Sequence, residues 1–305
     1  MKNRKMKWLP LLLVMALLAG LVAGCSSAKE QEPAANPPVQ QEVKVVSIEE
    51  VAAKYFAENP ESNRVMPEAA LKERLDANDS QLFVVDIRSA EDYAAGHIKG
   101  AVNAPFGKMH EFLDKLPADK EIVLYCKSGQ TAGQTVAIVN MYGYKAVSLN
   151  LGFDNGWVKK NNFPVDTTPV EFPANLTPAK PDANIAKILK DFYVNMPANT
   201  NMIAPADLLA KIDSGEDIQI VDLRKAEDFA KGHVKNAINI PFGQLGQNYS
   251  KISTEKPVFV YCYSGQTAGQ SVAVLKVLGY DAFTLKGGYN FGWTTEGMPV
   301  MQEAA

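Results

Sequence analysis

Residues 121–144 read EIVLYCKSGQTAGQTVAIVNMYGY, and residues 257–280 read PVFVYCYSGQTAGQSVAVLKVLGY. In each, a short apolar run ends on a cysteine. A glycine-containing loop follows, and then a helical pattern runs on to a glycine that suits a C-cap, Gly143 in the first stretch. The frame YCKSGQTA (125–132) recurs as YCYSGQTA (261–268), 136 positions later. The chain has only three cysteines, and two of them hold this same place.

Working outward, the repeat is long. From Asp86 to Gly107, 14 of 22 positions are identical in 222–243, and GFDNGW (152–157) returns as GYNFGW (288–293). Upstream, AAKYFAENPESNRVMP is similar to KILKDFYVNMPANTNMIAP. A unit of this length is a domain, far longer than a solenoid repeat. The organisation expected is a domain over 47–166, a proline-rich linker over 167–183 and a second domain over 184–303.

LFVVDI, AVNAP, EIVLYC and KAVSLN read as buried strands of the first unit, and IQIVDL, AINIP, PVFVYC and DAFTL as those of the second. Helical patterns lie between them: EDYAAGH, HEFLDKL and TAGQTVAIVNMYGY. Alternating strands and helices predict an α/β fold, two tandem domains each with a mostly parallel central sheet flanked by helices. The cysteine then stands at the C-terminal end of a strand, the edge where open α/β sheets place ligands.

The N-terminus has its own logic. Lys2, Arg4, Lys5 and Lys7 precede an apolar run from Trp8 to Ala23, which is short for a membrane span. Val22-Ala23-Gly24-Cys25 resembles a bacterial lipobox. Residues 1–24 are therefore expected to be a cleaved signal, with Cys25 lipidated and 25–46 a flexible tether rich in Pro, Ala, Gln and Glu. Such a chain is exported and anchored to the outer side of a membrane in a bacterial envelope. The whole sequence carries 31 basic and 34 acidic residues; losing the four bases of the signal leaves 27 against 34. That balance argues against a nucleic-acid partner. An exported chain commonly uses cysteines as staples. Equivalent cysteines in two repeats are a poor design for a staple, which points to chemistry instead.

A thiolate is a nucleophile. In Cys126-Lys127-Ser128-Gly129-Gln130-Thr131 and Cys262-Tyr263-Ser264-Gly265-Gln266-Thr267, successive backbone N–H groups can curl around the sulfur as an anion nest. Gly129 and Gly265 supply the conformation that other residues strain to adopt. A hydrogen bond to a charged group contributes about 1.5–3 kcal/mol, so two of them favour the ionised sulfur without a histidine or a metal. Three histidines and two available thiols give no metal-ligand spacing, and no cofactor is expected.

The chain resembles the rhodanese family in its tandem two-domain form. The carriers are Asp86-x-Arg88 with Glu91, Gly96-His97-Ile98, Ala101-x-Asn103-x-Pro105, the Cys126 loop and Trp157. The second copy has Asp222-x-Arg224 with Glu227, Gly232-His233-Val234, Ala237-x-Asn239-x-Pro241, the Cys262 loop, Gly287-Gly288 and Trp293. The resemblance implies a sulfurtransferase in which Cys126 and Cys262 carry a persulfide. Each would take sulfur from a donor such as thiosulfate and pass it to cyanide or a thiol by ping-pong chemistry. It implies loop residues that bind the donor, and Asp86, Arg88, Asp222 and Arg224 as a supporting ion pair beside each loop. It also implies that His97 and His233 are scaffold. Three departures stand out. The second loop position, often arginine in the family, is Lys127 in one copy and Tyr263 in the other; Leu151 stands where the second copy has Gly287; and both cysteines are present. Lys127 is expected to draw dianionic thiosulfate to Cys126. Two other readings compete. One is a membrane-tethered persulfide carrier or partner-binding module with little turnover. The other is a phosphatase or arsenate reductase, which would need an arginine to close the anion loop, where this chain has Thr-Ala. The oligomeric state is left open.

Overall fold

The computed structural model describes residues 46–302; the expected signal, Cys25 and all but the last residue of the expected tether lie outside them. Among the described residues no helix is long and apolar enough to cross a membrane. In the first repeat the elements run α1 (Ile48–Ala57), β1 (Val65–Met66), α2 (Glu68–Asp76), β2 (Leu82–Asp86), α3 (Ala90–Ala95), β3 (Val102–Asn103), β4 (Glu121–Tyr125), α4 (Gln130–Met141) and β5 (Lys145–Leu149). The second repeats them as α5 (Ala183–Val194), β6 (Met202–Ile203), α6 (Pro205–Asp213), β7 (Gln219–Asp222), α7 (Ala226–Lys231), β8 (Ala237–Asn239), β9 (Val258–Tyr261), α8 (Gln266–Val277) and β10 (Ala282–Leu285). Each sheet has five parallel strands, ordered β1-β5-β4-β2-β3 and β6-β10-β9-β7-β8. The α/β reading holds in both copies. β4 and β9 sit at the centre, buried on both faces, which is why their sequences are unbroken apolar runs.

One expectation fails locally. HEFLDKL is not an α-helix; a 3₁₀ helix spans Phe106–Glu111 and turns follow. Its apolar residues still point inward, with Met109, Leu113 and Leu116 fully buried, so the period is satisfied by a tighter coil. The proline-rich segment packs along the first repeat. Phe172 packs against Phe83 and Phe112 with ring centroids 5.9 and 5.2 Å apart, and Thr177 accepts a hydrogen bond from the Ala118 N–H. The short edge strands β1 and β6 were not foreseen; two residues carry no period to read.

The repeats share one core. A single buried cluster joins Ile122, Leu124, Val136 and Val139 of the first copy to Val258, Val260, Val272 and Leu275 of the second, while each repeat keeps a smaller outer cluster of its own. α4 and α8 meet at Gly133 and Gly269, where a Cβ on either would overlap the backbone oxygen of Gln266 or Gln130. The opening helices cross over. Phe56 of α1 packs edge-on against Phe242 and Tyr249 of the second repeat, at 5.9 and 5.8 Å. Tyr193 of α5 meets Phe106 of the first at 5.6 Å. Buried polar links complete the seam: Tyr55 Oη donates to Gln270 Oε1 at 2.6 Å, and Asn201 Nδ2 donates to Gln134 Oε1 at 3.2 Å.

Candidate active site

Cys126 follows the last residue of β4 and Cys262 the last of β9, and each loop hands over to a twelve-residue helix. Both are free thiols, 5% and 3% exposed. The Gly129 N–H donates to Cys126 Sγ at 3.1 Å and the Ala132 N–H approaches it at 3.5 Å. In the other loop Gly265 and Ala268 do the same to Cys262 Sγ at 3.2 and 3.4 Å. The second donor of each pair lies in the first turn of α4 or α8, where backbone N–H groups have no partner inside the helix. The arrangement is a half-turn of amides around sulfur, with the positive end of a helix behind it; both features favour an anion there. Gly129 and Gly265 make the turn in left-handed conformations, φ +90° and +85°.

The other loop residues divide by role. Ser128, Thr131 and Ser264 face the cavity over Cys126, and Thr267 lies half-buried at the start of α8. Gln130, which also lines that cavity, and Gln266, both expected to bind the donor, commit their amides across the seam between the repeats. Gln130 Nε2 donates to Thr284 Oγ1 and Leu285 O, and its Oε1 accepts from the Gly287 N–H. Gln266 makes the matching bonds to Ser148, Leu149 and Leu151. Each loop is thus fastened to the strand end of the other repeat. Only the folded contact reveals this, because within one repeat the glutamine has no visible partner.

Lys127 lines the cavity over Cys126 with its ammonium paired to an acid. Its side chain, 58% exposed, pairs with Asp92 at 2.9 Å, so its charge is largely spent. That hydrogen bond holds the Asp92 carboxyl below the usual carboxylate range. At the same place in the second loop, Tyr263 Oη donates to Asp228 Oδ2 at 2.6 Å and likewise holds that carboxyl low. The acid in the AED of each repeat is therefore the anchor for the second loop position. Sequence reasoning passed it over, although its identity in both copies was the available signal.

Asp86 and Arg88 form a buried pair. Arg88 Nη2 meets Asp86 Oδ2 at 2.6 Å and also the Gly96 carbonyl at 2.6 Å, and the guanidinium lies 3.8 Å over the Phe153 ring. Asp222, Arg224, Gly232 and Tyr289 repeat the arrangement. With its charge and two nitrogens so engaged, the pair fixes the sheet edge beneath the loop. Tyr125 and Tyr261 join it, accepting the N–H of Ile98 and Val234 at 3.1 Å; burial and the nearby Asp86 and Asp222 carboxylates raise both phenols. His97 stacks on Tyr93 at 3.9 Å, with Nδ1 2.9 Å from the Tyr93 carbonyl, in the scaffold. Trp157 and Trp293 are buried, donating to Pro164 and Pro299 carbonyls.

A cavity of about 430 Å³ opens over Cys126, walled by both repeats. Arg88, Lys127 and Asn155 come from the first, and Lys286, Phe291 and Glu296 from the second.

The rhodanese-like domain profile matches residues 68–160 and again 204–295, so the chain belongs to the rhodanese-like domain family and carries the domain twice. Among curated proteins it is similar to the uncharacterized protein YqhL of Bacillus subtilis, 38% identical over 72 residues, 23% of this chain and 57% of that one. A sulfurtransferase of Allochromatium vinosum is 29% identical over 102 residues, covering 33% of this chain and 94% of the other. The thiosulfate:glutathione sulfurtransferase of Saccharomyces cerevisiae is 27% identical over 110 residues, covering 32% and 78%. Among solved structures, a rhodanese-related protein of Thermoplasma volcanium aligns at 29% identity over 34% of this chain and 99% of the other, with a TM-score of 0.32.

Proposed function

We propose that the chain is a sulfurtransferase that moves a sulfane sulfur through cysteine persulfides at Cys126 and Cys262. The supporting observation is that each sulfur, at the exit of a central strand, is faced by two backbone N–H groups at 3.1–3.5 Å. Two amide donors stabilise a thiolate before attack and the terminal sulfur anion of a persulfide after it. With thiosulfate as donor, the cysteine thiolate attacks the outer sulfur. A cysteine S–S bond forms, the donor's S–S bond breaks, and sulfite leaves with the bonding pair. In the second half the acceptor, cyanide or a thiolate, attacks the terminal sulfur, and the electron pair returns to the cysteine. No oxidant or reductant is consumed. The sulfurtransferases among the relatives support the same reading. Within it, 47–166 and 184–303 are two catalytic domains joined by 167–183, and the loop residues line the donor path. The basic start, the apolar run and Cys25 support an extracytoplasmic, lipid-anchored chain.

The test is steady-state transfer from thiosulfate to cyanide by the wild type, Cys126→Ser, Cys262→Ser and the double variant. Parallel reciprocal plots, activity in each single variant and none in the double are expected. Full activity in the double variant would end the proposal.

A further inference from the structure

We infer that the second repeat sets the substrate preference of Cys126: Lys286, Glu296 and Phe291 make that site a receptor for an organic thiol or persulfide of amino-acid or short-peptide type, which the Cys262 site lacks. The inference rests on the reading of Cys126 as a sulfur carrier and adds to it the class of its partner substrate.

The register of the two repeats carries the argument. The Met66 carbonyl accepts from Asn150 N, and the Ile203 carbonyl accepts from Lys286 N. Lys286 thus holds the place of Asn150, Pro205 that of Glu68, and Glu296 that of Lys160. In the first repeat, Glu68 is buried and ties up both neighbours: Asn150 Nδ2 donates to Glu68 Oε1 at 3.2 Å, and Lys160 pairs with the same carboxylate at 3.2 Å. Pro205 has no carboxylate to offer. The residues at those two places in the second repeat, Lys286 and Glu296, instead line the cavity over Cys126. Among the described residues Lys286 enters no ion pair. Lys127, by contrast, is already held by Asp92. Phe291, 53% exposed, adds an apolar wall where the first repeat has Asn155.

Size and charge then point to one class. An inorganic dianion fills on the order of 100 Å³, taking about 30 Å³ per water-sized unit. The cavity holds about 430 Å³, within the range of sites for organic ligands. Lys286 and Glu296, neither of them in an ion pair among the described residues, and the Phe291 ring in one cavity complement a ligand that carries a carboxylate, an ammonium and a methylene body. Asn150 and Lys160, the counterparts of Lys286 and Glu296, are held on Glu68, and Asn155, the counterpart of Phe291, lines the same cavity over Cys126.

The test uses the full chain in detergent, with Cys262→Ser isolating the Cys126 site. A unit charge about 6 Å away in a water-like dielectric is worth about threefold, and its reversal about tenfold. Lys286→Gln should lower kcat/KM for glutathione as acceptor about threefold and Lys286→Glu about tenfold at low ionic strength, with 2-mercaptoethanol unaffected. In the Cys126→Ser background, neither change should alter transfer through Cys262. Binding of S-methylglutathione, followed by calorimetry, needs no transfer and should weaken in parallel. If Cys126 takes up no sulfur yet this binding still depends on Lys286, the transfer reading falls and the receptor stands. Equal losses for both thiols, or S-methylglutathione binding that ignores Lys286, would overturn the inference.

Discussion

Replacing Gln130 with leucine should show that the two repeats fold as one unit. Gln130 is buried and makes three hydrogen bonds across the seam, to Thr284 Oγ1 at 3.1 Å, Leu285 O at 2.8 Å and Gly287 N at 3.1 Å. Leucine keeps the volume and abandons all three. Stranded donors and acceptors in a buried interface cost about 1–3 kcal/mol each, partly offset by the added apolar surface, so the net loss should be about 2–4 kcal/mol. Gln266→Leu breaks the symmetric bonds to Ser148, Leu149 and Leu151 and should cost the same. The double variant should cost less than the sum, because the Gln266 amide also packs against Gly129, beside Gln130. Urea unfolding, read by fluorescence and far-UV dichroism together, measures it. With a slope of about 3 kcal/mol/M, each single change moves the midpoint by about 1 M. One transition should persist in wild type and single variants. A loss under about 0.5 kcal/mol, or two separate transitions in the wild type, would refute the reasoning.

Four further outcomes follow. Gly129→Ala forces a side chain into φ +90° and against the Gln266 amide, so it should cost about 1–3 kcal/mol and depress transfer at Cys126; wild-type melting and turnover would contradict the left-handed turn. Arg88→Met leaves Asp86 buried without its partner and should cost about 3–5 kcal/mol in a calorimetric melt, whereas a loss under 1 kcal/mol would mean the pair adds little. Lys127→Tyr should change kcat/KM for thiosulfate less than twofold, while Asp92→Asn frees the ammonium and should raise it several-fold at low salt, the gain fading as salt rises. Because Lys127 holds the Asp92 carboxyl below its ordinary range, the pair is complete above the unfolded value of about 4 and is lost only as pH falls through the lower folded value. Thiosulfate capture should therefore show no step from this pair between pH 5 and 9, and a step abolished by Asp92→Asn would contradict it.

The strand ends and the cysteine loops were legible because each rests on local signals: unbroken apolar runs at β4 and β9, and a glycine that only a left-handed turn requires. Repetition then gave the domains. What the sequence hid lies in contacts between repeats. Gln130 and Gln266 read as donor ligands because their partners stand 154 and 118 positions away along the chain. Lys127 read as a free cation because the turn that brings Asp92 to it joins two different elements. Lys286 carried no signal until the fold put it in the wall of the cavity over Cys126, with Pro205 in the place of Glu68. HEFLDKL misled because 3₁₀ and α periods are hardly separable over seven residues.

The central claim is that Cys126 and Cys262 each hold a sulfur during turnover. Intact-mass measurement after incubation with thiosulfate, and again after cyanide, tests it directly. The account predicts two added sulfurs in the wild type, one in Cys126→Ser, one in Cys262→Ser, none in the double variant, and the loss of every added sulfur on cyanide. A mass unchanged by thiosulfate, or an added sulfur that survives in the double variant, would contradict it.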